Sequence, residues 1–270
     1  MINNVSREFV IYQGKRFIVK NNSLDLSMIG IKDILEIDQF ESLTNLKNLD
    51  LSTNYISKIK GLDHLRKLEF LNLEYNKITE INGLDKLKNL KELKLGGNRI
   101  TEIKGLKNLH NLEELLFEDI IPGKGNQILE IKGLENLINL KGLVLGENQI
   151  TEIKGLNGLK RLEFLFLGNN KIKEIKGLDK LHNLKELYLT GNEITEIKGL
   201  KNLKNLEILD LEENQINKLK DISYLINLER LNLNGNKITN LNSLVKPPKL
   251  KEISLLDNPL VNDNNNSISY

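Results

Sequence analysis

The chain has 270 residues, with 39 basic and 37 acidic side chains and a formal charge of +2, which excludes the one-signed field of a dedicated nucleic-acid binder. Hydrophobic residues make up 39%, enough for a sizeable core, and no apolar run approaches the ~20 residues of a membrane span. The absence of cysteine removes disulfides, thiolate metal ligands and cysteine nucleophiles together.

The first residues, Met1 to Glu8, are polar and lack the basic segment and apolar core of a secretory signal, so a cytoplasmic location is expected. Phe9-Val10-Ile11-Tyr12 and Arg16-Phe17-Ile18-Val19, around Gln13-Gly14, predict a β-hairpin within an N-terminal cap over 1–23. Leu24 and Leu26 open a degenerate first repeat, with three extra residues before Ile37 resumes the register. From there asparagine recurs at one constant step, 76 − 54 = 22, at 54, 76 and 98 and then at 126, 148, 170, 192, 214, 236 and 258. In the regular copies leucines precede the asparagine by eight, five and three positions, isoleucines follow at two and five, and Gly-Leu at seven and eight. Leu90, Leu93, Leu95, Asn98, Ile100, Ile103, Gly105 and Leu106 show the frame. The step from Asn98 to Asn126 is 28, six longer than the rest, which places an insertion near 120–125. Repeats are expected over 24–260, and the Asn-rich 261–270 is expected to be a flexible tail.

Each repeat reads as one coil of chain. The Leu-x-Leu pair alternates with period two, as in a short strand with leucines inward. The asparagine can bond turn backbone through both ends of its carboxamide, a structural role repeated from coil to coil. Apolar residues at 100, 103, 106 and 109 keep a spacing of three, which predicts a 3₁₀-like return segment, and Gly105 lets the backbone bend there. One coil cannot bury these leucines, whereas stacked coils share a continuous core.

The frame resembles the leucine-rich repeat family, in the short-repeat class of the type-1 protein phosphatase regulatory subunit and the internalins. The resemblance covers about residues 24–260. It implies an α/β repeat solenoid, a horseshoe with parallel concave strands and short 3₁₀-like convex segments, and a binding role for the concave side.

Residues six, four and two before each asparagine project from the strands on that side, free of the core. Four of the chain's 13 aromatics fall there: Phe70, Phe164, Phe166 and Tyr188. Leu116, Val144, Phe166, Tyr188 and Ile208 occupy five consecutive strands, across roughly 20 Å at the usual strand spacing. Such an apolar patch marks a partner-binding surface. Glu92, Glu114, Glu118, Glu186, Asp210 and Glu212 surround it, opposed mainly by Lys94 and Arg230, and favour a protein or peptide with a basic amphipathic surface. Ile120 and Ile121 in the insertion are expected to cover the patch or to join the interface. The expected partner-binding set is therefore Phe70, Leu116, Ile120, Ile121, Val144, Phe164, Phe166, Tyr188, Ile208, Glu186 and Asp210.

Elsewhere the pattern is bland. Lysines six after the asparagine (Lys104, Lys132, Lys154) run beside glutamates four after it (Glu80, Glu102, Glu130), so their fields cancel on a solvated outer face. His64, His110 and His182 lie in different coils, and no triad order, zinc spacing or dinucleotide motif occurs. Gly123 and Gly125 lack the Gly-Lys-Ser/Thr of a phosphate loop. The expectation is a monomeric, non-enzymatic scaffold without cofactor or metal, binding neither nucleic acid nor membrane, and acting as a regulatory subunit. The alternative is a recognition module working with a separate enzyme such as a small GTPase or phosphatase.

Overall fold

The computed structural model describes residues 8–119 and 125–260, together with the backbone of 267–269. Strands β1 (Phe9–Tyr12) and β2 (Lys15–Ile18) form an antiparallel hairpin. One short strand per coil follows: β3 (Ser23–Asp25), β4 (Asn48–Asp50), β5 (Phe70–Asn72), β6 (Glu92–Lys94), β7 (Glu114–Leu116), β8 (Gly142–Val144), β9 (Phe164–Phe166), β10 (Glu186–Tyr188), β11 (Ile208–Asp210), β12 (Arg230–Asn232) and β13 (Glu252–Ser254). All pair in parallel with their neighbours in chain order, and β14 (Ser267–Ser269) closes the sheet antiparallel to β13. The register steps through equivalent residues, Leu143 to Leu165 to Leu187 to Leu209, so each repeat position becomes a continuous row.

The inward rows build one core. Ile100, Leu106, Leu109, Leu112 and Leu115 have no exposed surface, and their equivalents match them through the central coils, while Leu244 and Leu250 in the last coil are partly buried. The asparagines hold the coils in step: Asn98 Oδ1 accepts from Ile78 N at 3.0 Å, and its Nδ2 donates to Leu73 O at 2.9 Å in the preceding coil and to Leu95 O at 3.0 Å in its own. These donors and acceptors are buried, so leaving one unpaired would cost ~1–3 kcal/mol. The glycine seven positions on is required by contact as well as by torsion. Gly105 has φ +78°, and a Cβ there would collide with the carbonyl oxygen of Ile81 in the preceding coil.

The α/β class is corrected by the return segments. No α-helix occurs among the described residues, and 3₁₀ helix is confined to Ile34–Glu36 and Phe40–Ser42 in the first coil. Regular coils instead make two successive tight turns, such as Leu65 N to Leu62 O and Leu68 N to Leu65 O, both 3.0 Å. With so short a coil and an apolar residue at every third position, the chain returns as isolated turns and has no length left for a helix.

The first coil is capped by the hairpin: Ile11 exchanges backbone bonds of 3.1 and 2.8 Å with Asp38, Val10 and Tyr12 enter the core, and the Tyr12 hydroxyl donates to Gly30 O. The insertion does not break the stack. β7 pairs with β8 in the common register, and Asn126 donates to Phe117 O and Leu95 O, both at 2.9 Å, as its counterparts do. Ile120 and Ile121 lie outside the described residues, as does the C-terminal tail apart from the backbone of β14.

Candidate functional site

On the concave face the middle row runs Leu116, Val144, Phe166, Tyr188, Asp210 across β7 to β11, and the row beside it runs Glu114, Gly142, Phe164, Glu186, Ile208. Tyr188 stands between two phenylalanines, with ring centroids 5.4 Å from Phe164 and 5.9 Å from Phe166, both tilted. All three are half-buried without any partner molecule. Phe166 does not stand upright: a Cβ placed on Gly168 would lie 2.8 Å from its Cζ, and one on Gly146 would lie 2.8 Å from its Cδ1. The ring therefore lies down across two glycines, in a row where any larger residue would lift it. The glycines of this row are visible in the sequence, but their purpose depends on which way Phe166 turns.

The expected residues do not all converge. Leu116, Val144, Phe164, Phe166, Tyr188 and Ile208 form a continuous strip. Phe70, four strands from Phe164, is separated from the strip by Glu92, Glu114 and Gly142 and instead lies 5.6 Å from the Lys94 ammonium. Glu186 accepts a 2.9 Å bond from the Tyr188 hydroxyl, and burial followed by that bond pushes the phenol up to about 12. Asp210 is engaged within the solenoid, accepting from Thr190 Oγ1 at 2.7 Å, Glu212 N at 3.0 Å and Asn232 Nδ2 at 3.1 Å.

Charge differs between the faces. Burial lifts the Glu114 and Glu118 carboxyls above the ordinary range, with Glu92 adding to the first and Glu147 to the second. Burial also raises Glu74. On the outer face lysine and glutamate rows pair from coil to coil, as in Lys132 to Glu102 at 2.9 Å, Lys154 to Glu130 at 3.5 Å and Lys176 to Glu152 at 3.5 Å. Of the histidines, His64 bonds Phe40 O at 2.9 Å while His110 and His182 reach other carbonyls. No group of three or more metal-ligating side chains occurs among the described residues. No helix there is long and apolar enough to cross a membrane.

Known proteins with this geometry share its sequence frame. Family models for leucine-rich repeats match residues 66–108, 138–180 and 182–227 (two-copy repeats), 22–78 and 224–241. The chain belongs to the leucine-rich repeat proteins. Among solved structures, a leucine-rich repeat protein from Leptospira interrogans is 35% identical, with TM-score 0.71 over 82% of this chain and 57% of that one. An internalin C2 from Listeria monocytogenes is 32% identical, with TM-score 0.62 over 70% of this chain and 80% of that one. A second Listeria monocytogenes internalin is 26% identical, with TM-score 0.57 over 91% and 85%. No curated protein sequence matches the chain. Leucine-rich repeat proteins are generally protein-interaction modules.

One further row of this leucine-rich repeat is absent from the sequence reading. Nine positions before the frame asparagine, Asn89, Asn183, Asn205 and Asn227 each donate to a backbone carbonyl of the preceding coil at 2.8 to 2.9 Å. Where Lys67, Arg161 and Lys249 replace it, the cation donates to the asparagine of the preceding coil at 2.7 to 2.8 Å. The same repeat step carries this row, which stands beside the strand starts, outside the core.

Proposed function

We propose that this protein is a non-catalytic interaction module that holds another protein or peptide on its concave face, with Phe164, Phe166 and Tyr188 as anchors. Leu116, Val144 and Ile208 extend the apolar strip on either side, with Glu186 at its margin. The observation that supports this reading is the aromatic cluster itself: three large rings on the outward side of a sheet, half-buried by one another and still facing solvent. Contiguous apolar surface of this kind is costly for a monomer unless something binds it. A regulatory role follows in this reading when the captured partner is an enzyme.

The test is the Phe164→Ala/Phe166→Ala/Tyr188→Ala variant, compared with wild type in thermal melting and in quantitative capture of partners from the native cell. Loss of the ring contacts lowers stability by about 1–3 kcal/mol in total, with the fold retained. Aromatic anchors cost ~2 kcal/mol or more of binding when truncated, so proteins held by wild type should drop about 30-fold. Equal capture by both proteins would remove the concave face from consideration.

A further inference from the structure

Phe70 is an expected partner residue that the fold leaves outside the aromatic strip. It stands instead at one side of a groove of about 630 Å³ at the N-terminal end of the concave face. The groove arises where the cap meets the solenoid. Lys20 and Ser23 exchange backbone bonds of 2.9 and 2.8 Å, and no further residue pair bridges β2 to β3, so the hairpin is a sheet of its own beside the first strand of the parallel one. Arg16, Ile18 and Lys20 line the cap side of the opening, and Phe70 on β5 lines the far side. Between them β3 and β4 present Ser23 and Asn48, short side chains tied to each other by a 2.8 Å bond from Asn48 Nδ2 to Ser23 Oγ.

The charges around this groove are unequally committed. The Arg16 guanidinium lies over the Phe9 ring, 3.4 Å from its centroid, and neither it nor the Lys20 ammonium forms an ion pair or a side-chain hydrogen bond among the described residues. A guanidinium stacked on one face keeps its N–H edges free for a carboxylate. The carboxylates that line the sheet side are already engaged. Asp25 Oδ1 accepts from Ser27 N at 2.9 Å and Ser27 Oγ at 2.7 Å, while Asp50 accepts from Ser52 N at 2.8 Å and Asn72 Nδ2 at 3.2 Å. Beside Phe70, Lys94 is paired with Glu92 at 3.4 Å. An incoming carboxylate therefore finds open cationic donors only on the cap side, while the half-buried Phe70 ring and the exposed Ile18 offer apolar contact.

We propose that this groove is a second binding site, which takes an extended segment of a partner protein carrying a carboxylate beside an aromatic or aliphatic side chain. The carboxylate pairs with Arg16 and Lys20, the apolar side chain packs on Phe70 and Ile18, and the segment's backbone bonds the Ser23 hydroxyl and Asn48 Oδ1. A basic segment in the same place would set like charges against Arg16 and Lys20. Phe70 is four strands from Phe164, so the site stands apart from the aromatic strip and does not depend on the reading proposed for it.

The experiment pans a displayed library of random dodecapeptides against the full chain and, in parallel, against Phe70→Ala, Arg16→Glu/Lys20→Glu and Phe164→Ala/Tyr188→Ala variants, each checked by thermal melting. Wild type should enrich a class of peptides combining Asp or Glu with apolar residues, and the Phe164→Ala/Tyr188→Ala variant should retain that class. An enriched acidic peptide should bind Phe70→Ala about 30-fold more weakly than wild type. Lys20→Glu, an exposed change outside the core, should weaken the same peptide about tenfold at low salt, and on Arg16→Glu/Lys20→Glu the selected acidic residues should give way to Lys or Arg. The absence of an acidic class on wild type overturns the proposal and leaves the aromatic strip standing. So does an acidic class lost on Phe164→Ala/Tyr188→Ala and kept on Phe70→Ala, or one indifferent to both charge reversals.

Discussion

Glu113 and Glu114 are adjacent in the chain, yet their carboxyls shift in opposite directions. Glu113 turns to the flank beside the strand starts, where Lys141 at 2.7 Å holds it below the ordinary carboxylate range. Glu114 turns onto the concave face, where burial raises it, with Glu92 adding to the rise, and the attraction of Lys141 does not offset them. Glu69 repeats the flank pattern, brought to about 2 by Lys47 and Lys91. The difference shows which rows the solenoid completes by itself. Core leucines, frame asparagines and flank ion pairs find their partners one coil away, while the concave rows around β8 and β9 hold carboxyls raised by burial and half-buried rings. A repeat that satisfies a row internally leaves little there for a ligand to gain.

Breaking a completed row should cost far more than altering an open one. Leu187→Asp puts a carboxylate into a fully buried position of the shared core, a change on the order of 4 kcal/mol or more, and cooperative melting should be lost. Full retention of the wild-type melting temperature would show that Leu187 does not face the core. Next in size, Asn170→Ala removes the acceptor for Ile150 N and the donor to Leu145 O, both buried, and should cost about 1–3 kcal/mol. Asn183→Ala in the exposed second row loses a single bond to Lys160 O and should stay within about 0.5 kcal/mol. Equal losses in denaturant unfolding would erase the distinction between the two asparagine rows. Deleting residues 120–125 restores the regular repeat step, and circular dichroism should show the same strand content with only a small drop in melting temperature.

The smallest effect separates Glu113 from Glu114 by pH. Raised carboxyls hold their proton to higher pH in the folded state, so the penalty from Glu114 and Glu118 is absent at low pH and appears as pH rises through their folded values. Glu114→Gln/Glu118→Gln should therefore melt slightly above wild type at pH 7, with the gap closing on acidification. Glu113 is lowered, so its contribution is present above the ordinary carboxylate value and lost as pH falls. Glu113→Gln should melt slightly below wild type at pH 7 and converge with it in acid. Melting curves from pH 7 to pH 3 that show both variants shifting in the same direction would cancel the contrast.

Much of the architecture was legible because it is a nearest-neighbour property. A leucine, isoleucine or asparagine recurring once per coil meets its own equivalent in the next coil, so the core rows, the Asn98-type ladder and the alternating outward positions could be assigned by counting. Glutamates four and lysines six positions after the asparagine likewise pair across one coil, as their interleaving implied. The second asparagine row was equally periodic but polar and outside the core frame, and an apolar template gives it no weight. The helical part of the α/β class failed because apolar spacing of three fits separate turns as well as a continuous 3₁₀ segment.

The sequence by itself determined the coil, its register, the insertion point and the rows that face outward, since each follows from local periodicity and the need to bury leucine. Only the tertiary structure decided how the outward side chains lie. Phe166 reclines because Gly146 stands beside it in the preceding coil, and Glu114 leans toward β8 because Gly142 stands beside it in the following one. Those contacts are set between coils by side-chain rotamers and by the space that missing side chains leave, and neither is written into the period of any one repeat.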